Sequence, residues 1–458
     1  MALFIYLLLG LGIVVYELTR KKPFFIDPVT LFNFFFFLVY VVAPSALILY
    51  GNHLILDDMP YGKYYFAKNS FTPFIVLAGY LFFVAGYEMI KNYKPRHSFY
   101  LDLKLDDKKI LFLILFANIV LYLFLAVYVW EFGGLLKAIE QAQSYRSGAM
   151  SWHKFDFVLR FFSINTILLY YTFYKYFLEK KSIYKNYFLI LFFLALIFTL
   201  IAASLQSSRG FIIFQISGLY ALTVIYNRNF YLTYLIATLF FVILFILYGR
   251  ILFQSTEYFF KEGWDAFVAA FSQRVEIEQE QRSSIVANFT HAVVSLEAAL
   301  KHSGYDIPLR YLRDIKDAFT NLLPNELLGI QEAKMQLMDV NTLLLQGRAA
   351  NIVLPGILGY FVYALQVVGL FIGMFVYGTI GAMLNKLFST LFKSYKGSIV
   401  FLYILSLAYG YFAFRGVPGQ VLNDQFGLIV VLFVLLSGAK IDIKNGSKLY
   451  RNEPSLRF

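Results

Sequence analysis

The chain reads as an all-α polytopic membrane protein of about eleven transmembrane helices, and three observations point there. Apolar residues fill 60% of its 458 positions and charged residues only 15%, against roughly 25% charged in an ordinary soluble domain. The mean hydropathy is +0.65, carried by apolar runs long enough to cross a hydrocarbon core, which takes about twenty helical residues. One hydrophilic and amphipathic stretch, from Arg250 to about Asn351, interrupts those runs. The implied organisation is a membrane domain over 1–249, an external helical loop or lid over 250–351, a second membrane segment over 352–439 and a tail over 440–458.

The predicted spans are 2–18, 29–50, 71–90, 110–130, 157–174, 187–204, 210–226, 230–249, 353–380, 398–414 and 425–438. The first lacks a basic leader and a small-residue exit, so it reads as a membrane helix and not as a cleaved signal. Within the loop, residues 257–274 predict an interfacial helix with Phe259, Phe260, Trp264 and Phe267 toward lipid. Residues 283–302 carry Ile285, Val286, Phe289, Val293, Leu296 and Leu300 at helical spacing, opposite Asn288, His291 and Ser295, which predicts a helix lying against the membrane mouth. A short helix over 310–319 places Arg310 with Asp314 and Arg313 with Asp317 at i, i+4, and Leu323-Pro324 ends it. A further helix is predicted over 331–346, after which Leu354-Pro355-Gly356 returns the chain to the bilayer.

The formal charge of +12 does not indicate nucleic acid, because polytopic proteins keep Lys and Arg in cytoplasmic loops. With the amino terminus outside, the predicted cytoplasmic segments hold 17 Lys and 5 Arg, and the opposite face 8 Lys and 10 Arg, counting Arg160 near a helix start. Arginine thus gathers on the face that topology alone would leave poor in it. Its planar, permanently charged fork suits phosphate and carboxylate. The 52 Phe and 36 Tyr suit lipid-packed helices with phenol rings at headgroup level. The absence of cysteine excludes disulfides and thiolate chemistry. Five scattered histidines, with no His-Glu-x-x-His and no glycine-rich phosphate loop, predict neither a metal site nor soluble nucleotide use.

Arg209, in the turn Ser207-Ser208-Arg209-Gly210, Arg250 at the end of the eighth span, and Arg415, in Phe414-Arg415-Gly416, each end a helix at that face. A charge at the hydrocarbon edge usually faces an aqueous cavity or a partner. The three, closed over by Arg310 and Arg313 of the loop, predict one anion-binding cavity. The same face offers His291, Glu297, Asp314 and Asp424 as acid or base; Glu297 has Lys301 and Asp314 has Arg310 as ordinary helical partners.

These patches in order, Ser208-Arg209-Gly210, Arg313-Asp314 leading to Leu323-Pro324, Pro355 to Gly359, and Arg415-Gly416, resemble the Wzy family of oligosaccharide repeat-unit polymerases, including O-antigen and enterobacterial common antigen polymerases. The similarity is architectural over nearly the whole chain. It implies a bundle resembling the GT-C-like glycosyltransferases in a bacterial inner membrane. The implied reaction moves a growing glycan from undecaprenyl pyrophosphate to a new lipid-linked repeat unit at the periplasmic face, with no metal or other cofactor. Arg209, Arg313 and Arg415 match family arginines, while Arg250 matches only a basic position. The family also implies a chain-length-regulating membrane partner of Wzz type. Arginines would stabilise the pyrophosphate leaving group, and His291, Glu297 or Asp314 would take the proton of the attacking hydroxyl. The alternatives are a lipid-linked glycan ligase, with His291 as base, and a transporter or flippase for the same lipid, which would be expected to show internal repeats and no large external loop.

Overall fold

A computed structural model describes residues 1–50, 70–91, 98–102, 107–146, 156–179, 182–206, 209–280, 287–311, 313–320, 336–347, 353–426 and 440–444. It is nearly all helical. Among the described residues, ten helical segments are long and apolar enough to cross a membrane, so this is a multi-pass membrane protein. The eleventh predicted span, 425–438, lies outside the described residues apart from its first two.

The amino-terminal spans are α1 (Ala2–Thr19), α2 (Pro28–Phe37) and α3 (Ala43–Tyr50), with α2 and α3 joined by a π-helical turn over Leu38–Val42. Asp27 caps α2 by accepting the Thr30 N–H at 2.8 Å, ahead of Pro28 at the first helical position, where a missing N–H costs nothing. Next come α4 (Phe71–Lys91), α5 (Asp107–Glu131), the short α6 (Leu135–Arg146) and α7 (Ile164–Phe173), which is preceded by 3-10 turns over Asp156–Ser163. Helices α8 (Lys185–Leu205), α9 (Arg209–Asn227) and α10 (Leu232–Glu262) follow. One apolar cluster gathers α1–α4 with the later helices; a second gathers α5, α7, α8 and α9. Helix α16 (Ile399–Arg415) belongs to both, with Tyr409 and Ala413 in the first and Ile399, Val400, Phe401, Tyr403 and Ile404 in the second.

The loop is more deeply built in than its amphipathic pattern predicts. Helix α10 continues past the eighth span to Glu262, and α11 (Trp264–Glu280) follows after Gly263 at φ +92°. The single interfacial helix predicted over 257–274 is therefore two helices meeting at a glycine. Phe259, Phe260 and Trp264 are exposed as expected. Helix α12 (Ala287–His302) is enclosed on its polar as well as its apolar side: Ala292, Val293, Val294, Ser295, Leu296, Glu297, Ala298 and Ala299 are all buried. Its small residues allow enclosure on every side, and Ser295 on its polar side is bonded within the protein. The Asn341 side-chain amide donates to Ser295 Oγ at 3.0 Å and to the Val353 carbonyl at 2.8 Å, and Tyr363 donates to Asn341 Oδ1 at 3.0 Å. A fully bonded network of this kind fixes one packing of a buried polar surface. Asn341 sits on α14 (Leu337–Gln346), whose carboxyl end is capped by Gly347 at φ +71°. Helix α13 is Arg313–Thr320. Residues 281–286, 321–335 and the side chain of Asn288 lie outside the description, and with them Leu323-Pro324 and the first turns of the predicted 331–346 helix.

Helix α15 (Gly356–Ser394) is broken at Leu365 and Gln366, the latter at φ +56°, ψ −151°. A break inside a span frees backbone groups that lipid cannot satisfy, so protein must. The loop does it: Ser303 Oγ donates to the Val362 carbonyl at 3.1 Å, and the Arg310 and Tyr311 N–H groups donate to the Tyr363 and Ala364 carbonyls at 3.0 Å each. The segment 303–311 is thereby stitched into the membrane domain.

Helices α4 and α15 cross with their backbones in contact. A Cβ at Gly86 would strike the Phe375 carbonyl, and one at Gly378 the Phe83 carbonyl; small residues let membrane helices meet backbone to backbone. Gly378→Val is expected to cost about 1–3 kcal/mol by overpacking, read as a lower midpoint of thermal unfolding in detergent. An unchanged midpoint would contradict this crossing.

A short antiparallel ladder pairs β1 (Ser98–Asp102) with β2 (Lys440–Lys444). Strand β1 lies between the Lys91 end of α4 and the Asp107 start of α5, so β2 is held at that end. Arg415 and α17 (Pro418–Asp424) stand at the other, beside the Gly356 start of α15. The two flanks of the predicted eleventh span thus stand at opposite ends of the bundle.

Candidate functional site

Where the two clusters meet, at the Arg415 end, lies a cavity of about 360 Å³. The 3-10 turns before α7 contribute Arg160 and Ser163, α7 contributes Thr166 and Tyr170, and Gln206 ends α8. Helix α9 adds Gly210, Phe214 and Gln215; α16 adds Ile404, Leu407, Tyr411 and Arg415; Asp424 and Gln425 close the mouth. The wall grades from apolar side chains to a rim holding two guanidinium groups and one carboxylate.

Arg415 is positioned by its helix end. The next residue, Gly416, takes the left-handed conformation at φ +65° and sits against the Gly356 carbonyl, where any Cβ would collide. Only glycine meets both demands. The Arg415 guanidinium lies 4.9 Å from the centroid of the Tyr411 ring, and Nη2 is 3.3 Å from Asp424 Oδ2. A weakly hydrated planar cation suits such a stacked position better than an ammonium would. Two-fifths of the Asp424 side chain stays accessible. Even so, the protein packed around it displaces enough water that burial pushes its carboxyl above the ordinary carboxylate range, with the Arg415 charge pulling the other way. Lower in the cavity the Gln215 amide donates to Thr166 Oγ1 at 2.7 Å, and its carbonyl Oε1 has no partner among the described residues. Tyr170 donates to the Phe214 carbonyl at 2.8 Å, through space that Gly218 leaves open.

Of the predicted anion-binding arginines, the structure brings Arg415 to the cavity and sends others elsewhere. Arg209 begins α9 beside the cavity residue Gly210 but turns to α10, where Nη1 donates to the Ile246 carbonyl at 2.8 Å and its stem rests on Gly249. Arg250 falls within α10, and its side chain lies outside the description, as does Ser208. Arg310 is committed to Asp314, donating through Nε and Nη2 at 2.6 to 3.0 Å. Arg313 is 59% exposed and 3.4 Å from Asp317. Neither lines the cavity, so the predicted closure over Arg209, Arg250 and Arg415 is absent among the described residues. His291 is buried with its ring edge-on to Phe414 at 4.8 Å, and Glu297 is buried further along α12. Arg160, Gln206, Gln215 and Tyr170 are the residues that sequence reasoning missed. The one signal available was Arg160 at the start of an apolar run on the arginine-rich face.

No group of three or more His, Cys, Asp or Glu among the described residues could hold a metal ion. Comparison with protein-family models, curated proteins and solved structures returned no match. The class that fold and cavity define is a multi-pass helical membrane protein with an arginine-lined cavity at one end of the bundle.

Proposed function

We propose that the protein is a metal-independent glycosyltransferase that polymerises undecaprenyl-pyrophosphate-linked oligosaccharide repeat units at the periplasmic face of the bacterial inner membrane. The observation that carries this reading is the cavity itself: Arg160 and Arg415 at its rim, apolar Phe211, Phe214 and Leu407 in its wall, all set at the mouth of a membrane bundle. A pyrophosphate leaving group gathers negative charge as its bond to the sugar breaks, and guanidinium groups fixed beforehand stabilise that charge without reorganising. The apolar wall suits the lipid side of the same substrate. The resemblance of Arg415-Gly416 and its companion patches to repeat-unit polymerases adds the acceptor, a second lipid-linked unit. A ligase with His291 as base gains no support from a ring that faces Phe414 and does not line the cavity.

The test uses purified full-length protein and polyprenyl-pyrophosphate-linked repeat units extracted from the producing cell. Products lengthened by whole repeats, equally with and without chelator, are expected. Single units unchanged at every protein concentration would refute the reading.

A further inference from the structure

Resting on that reading, we infer that Asp424 is the general base of the transfer, the carboxylate that receives the proton of the attacking sugar hydroxyl. Of the four acid or base candidates on this face, it alone lines the cavity. Asp314 is occupied by Arg310 through both oxygens, and His291 and Glu297 are buried in α12 off the cavity. Asp424 is the carboxylate beside Arg415, at 3.3 Å, and its side chain is the more accessible of the pair.

That pairing gives the base a resting position and a trigger. With the cavity occupied, pyrophosphate oxygens compete for the Arg415 donors and leave Asp424 free to face the acceptor. The acceptor O–H proton passes to the Asp424 carboxylate and the acceptor oxygen bonds to the anomeric carbon. As that bond forms, the bond from the anomeric carbon to phosphate breaks, and its electron pair leaves on the pyrophosphate held by Arg415 and Arg160. Protonated Asp424 then returns its proton to water. The raised carboxyl is the stronger base for this. The charged residues on the elements packed against α17 are Arg415 on α16, Asp156 and Arg160 in the 3-10 turns, and Arg313, Asp314, Lys316 and Asp317 on α13.

The experiment compares Asp424→Asn and Asp424→Glu with wild type in the extension assay, with equilibrium binding of undecaprenyl pyrophosphate measured alongside. Loss of a general base costs roughly 10²–10⁴-fold in rate. Asp424→Asn is expected to lose at least about 100-fold in kcat while binding undecaprenyl pyrophosphate as tightly as wild type or more tightly. Asp424→Glu is expected to recover part of the rate. The wild-type rate is expected to fall as pH drops through the raised carboxyl pKa, and the Asn variant to lose that acid limb. An Asn variant that retains most of the rate overturns the assignment, as does one whose rate loss is matched by lost binding or whose acid limb is intact. If wild type extends nothing, the underlying function fails instead, and the binding data show whether the anion site survives it.

Discussion

Arg415→Ala is expected to slow chain extension by about 10²–10³-fold, the cost of removing one preorganised donor from a developing anion. The side chain is held by its stack on Tyr411 and by Asp424, so little of its binding energy goes into ordering it. Arg415→Lys keeps the charge but loses both the planar fork and the stack, and should recover only a small part of the rate. Arg160→Ala is expected to follow Arg415→Ala in direction, since both guanidinium groups line one cavity. Arg209→Ala offers the contrast. Its guanidinium holds the Ile246 carbonyl on α10, so its removal should loosen the α9–α10 contact and act on stability before rate. Extension rates normalised to folded protein measure all four; an Arg415→Ala variant at wild-type rate would remove the pyrophosphate site from this cavity.

Most of the membrane domain was legible because lipid imposes a simple rule: an apolar helix of about twenty residues satisfies its own backbone and needs no partner to be recognised. Ten of the eleven predicted spans coincide with long apolar helices to within a few residues, the ninth running on past its predicted end. What the pattern could not show is where polar atoms find partners across the chain. Ser295 and Asn341 are 46 positions apart, so the spacing of α12 could not show that Ser295 is bonded within the protein. The break in α15 at Leu365 and Gln366 carries no proline or glycine of its own; Ser303, Arg310 and Tyr311 sustain it by donating to the freed Val362, Tyr363 and Ala364 carbonyls. For the site, arginine at helix ends pointed to Arg415, which ends α16 and lines the cavity. For Arg310 the i, i+4 spacing to Asp314 already contained its actual bond. Arg160 and Gln215 were illegible as a pair, since only the packing of α7, α9 and α16 puts them around one space.

The largest stability effect is expected far from that cavity, at Arg20. Its guanidinium is fully enclosed, donating to both oxygens of Asp27 at 2.6 and 2.7 Å, to Glu17 at 2.8 and 3.0 Å and to Thr30 Oγ1 at 2.7 Å. Burial alone would lower its pKa, but Asp27 and Glu17 outweigh burial and raise it. Asn385 on α15 donates to Asp27 and to the Tyr87 hydroxyl on α4, and Asn33 donates to Glu17. One cation thus ties α1, α2, α4 and α15 together. Arg20→Met would leave two carboxylates with their principal cation gone, and breaking a buried pair from one side costs about 3–5 kcal/mol. Asp27→Asn keeps a neutral acceptor for the guanidinium and should cost less. Because burying a complete ion pair yields little net stability over an apolar replacement, the double change Arg20→Met with Asp27→Leu should recover part of the loss. It should not recover all of it, since Glu17 still needs Lys22, 2.7 Å away, and Asn33. Thermal midpoints of the four proteins in one detergent decide the matter. A double variant no more stable than Arg20→Met would show that the network, and not the unpaired charge, is what the helices require.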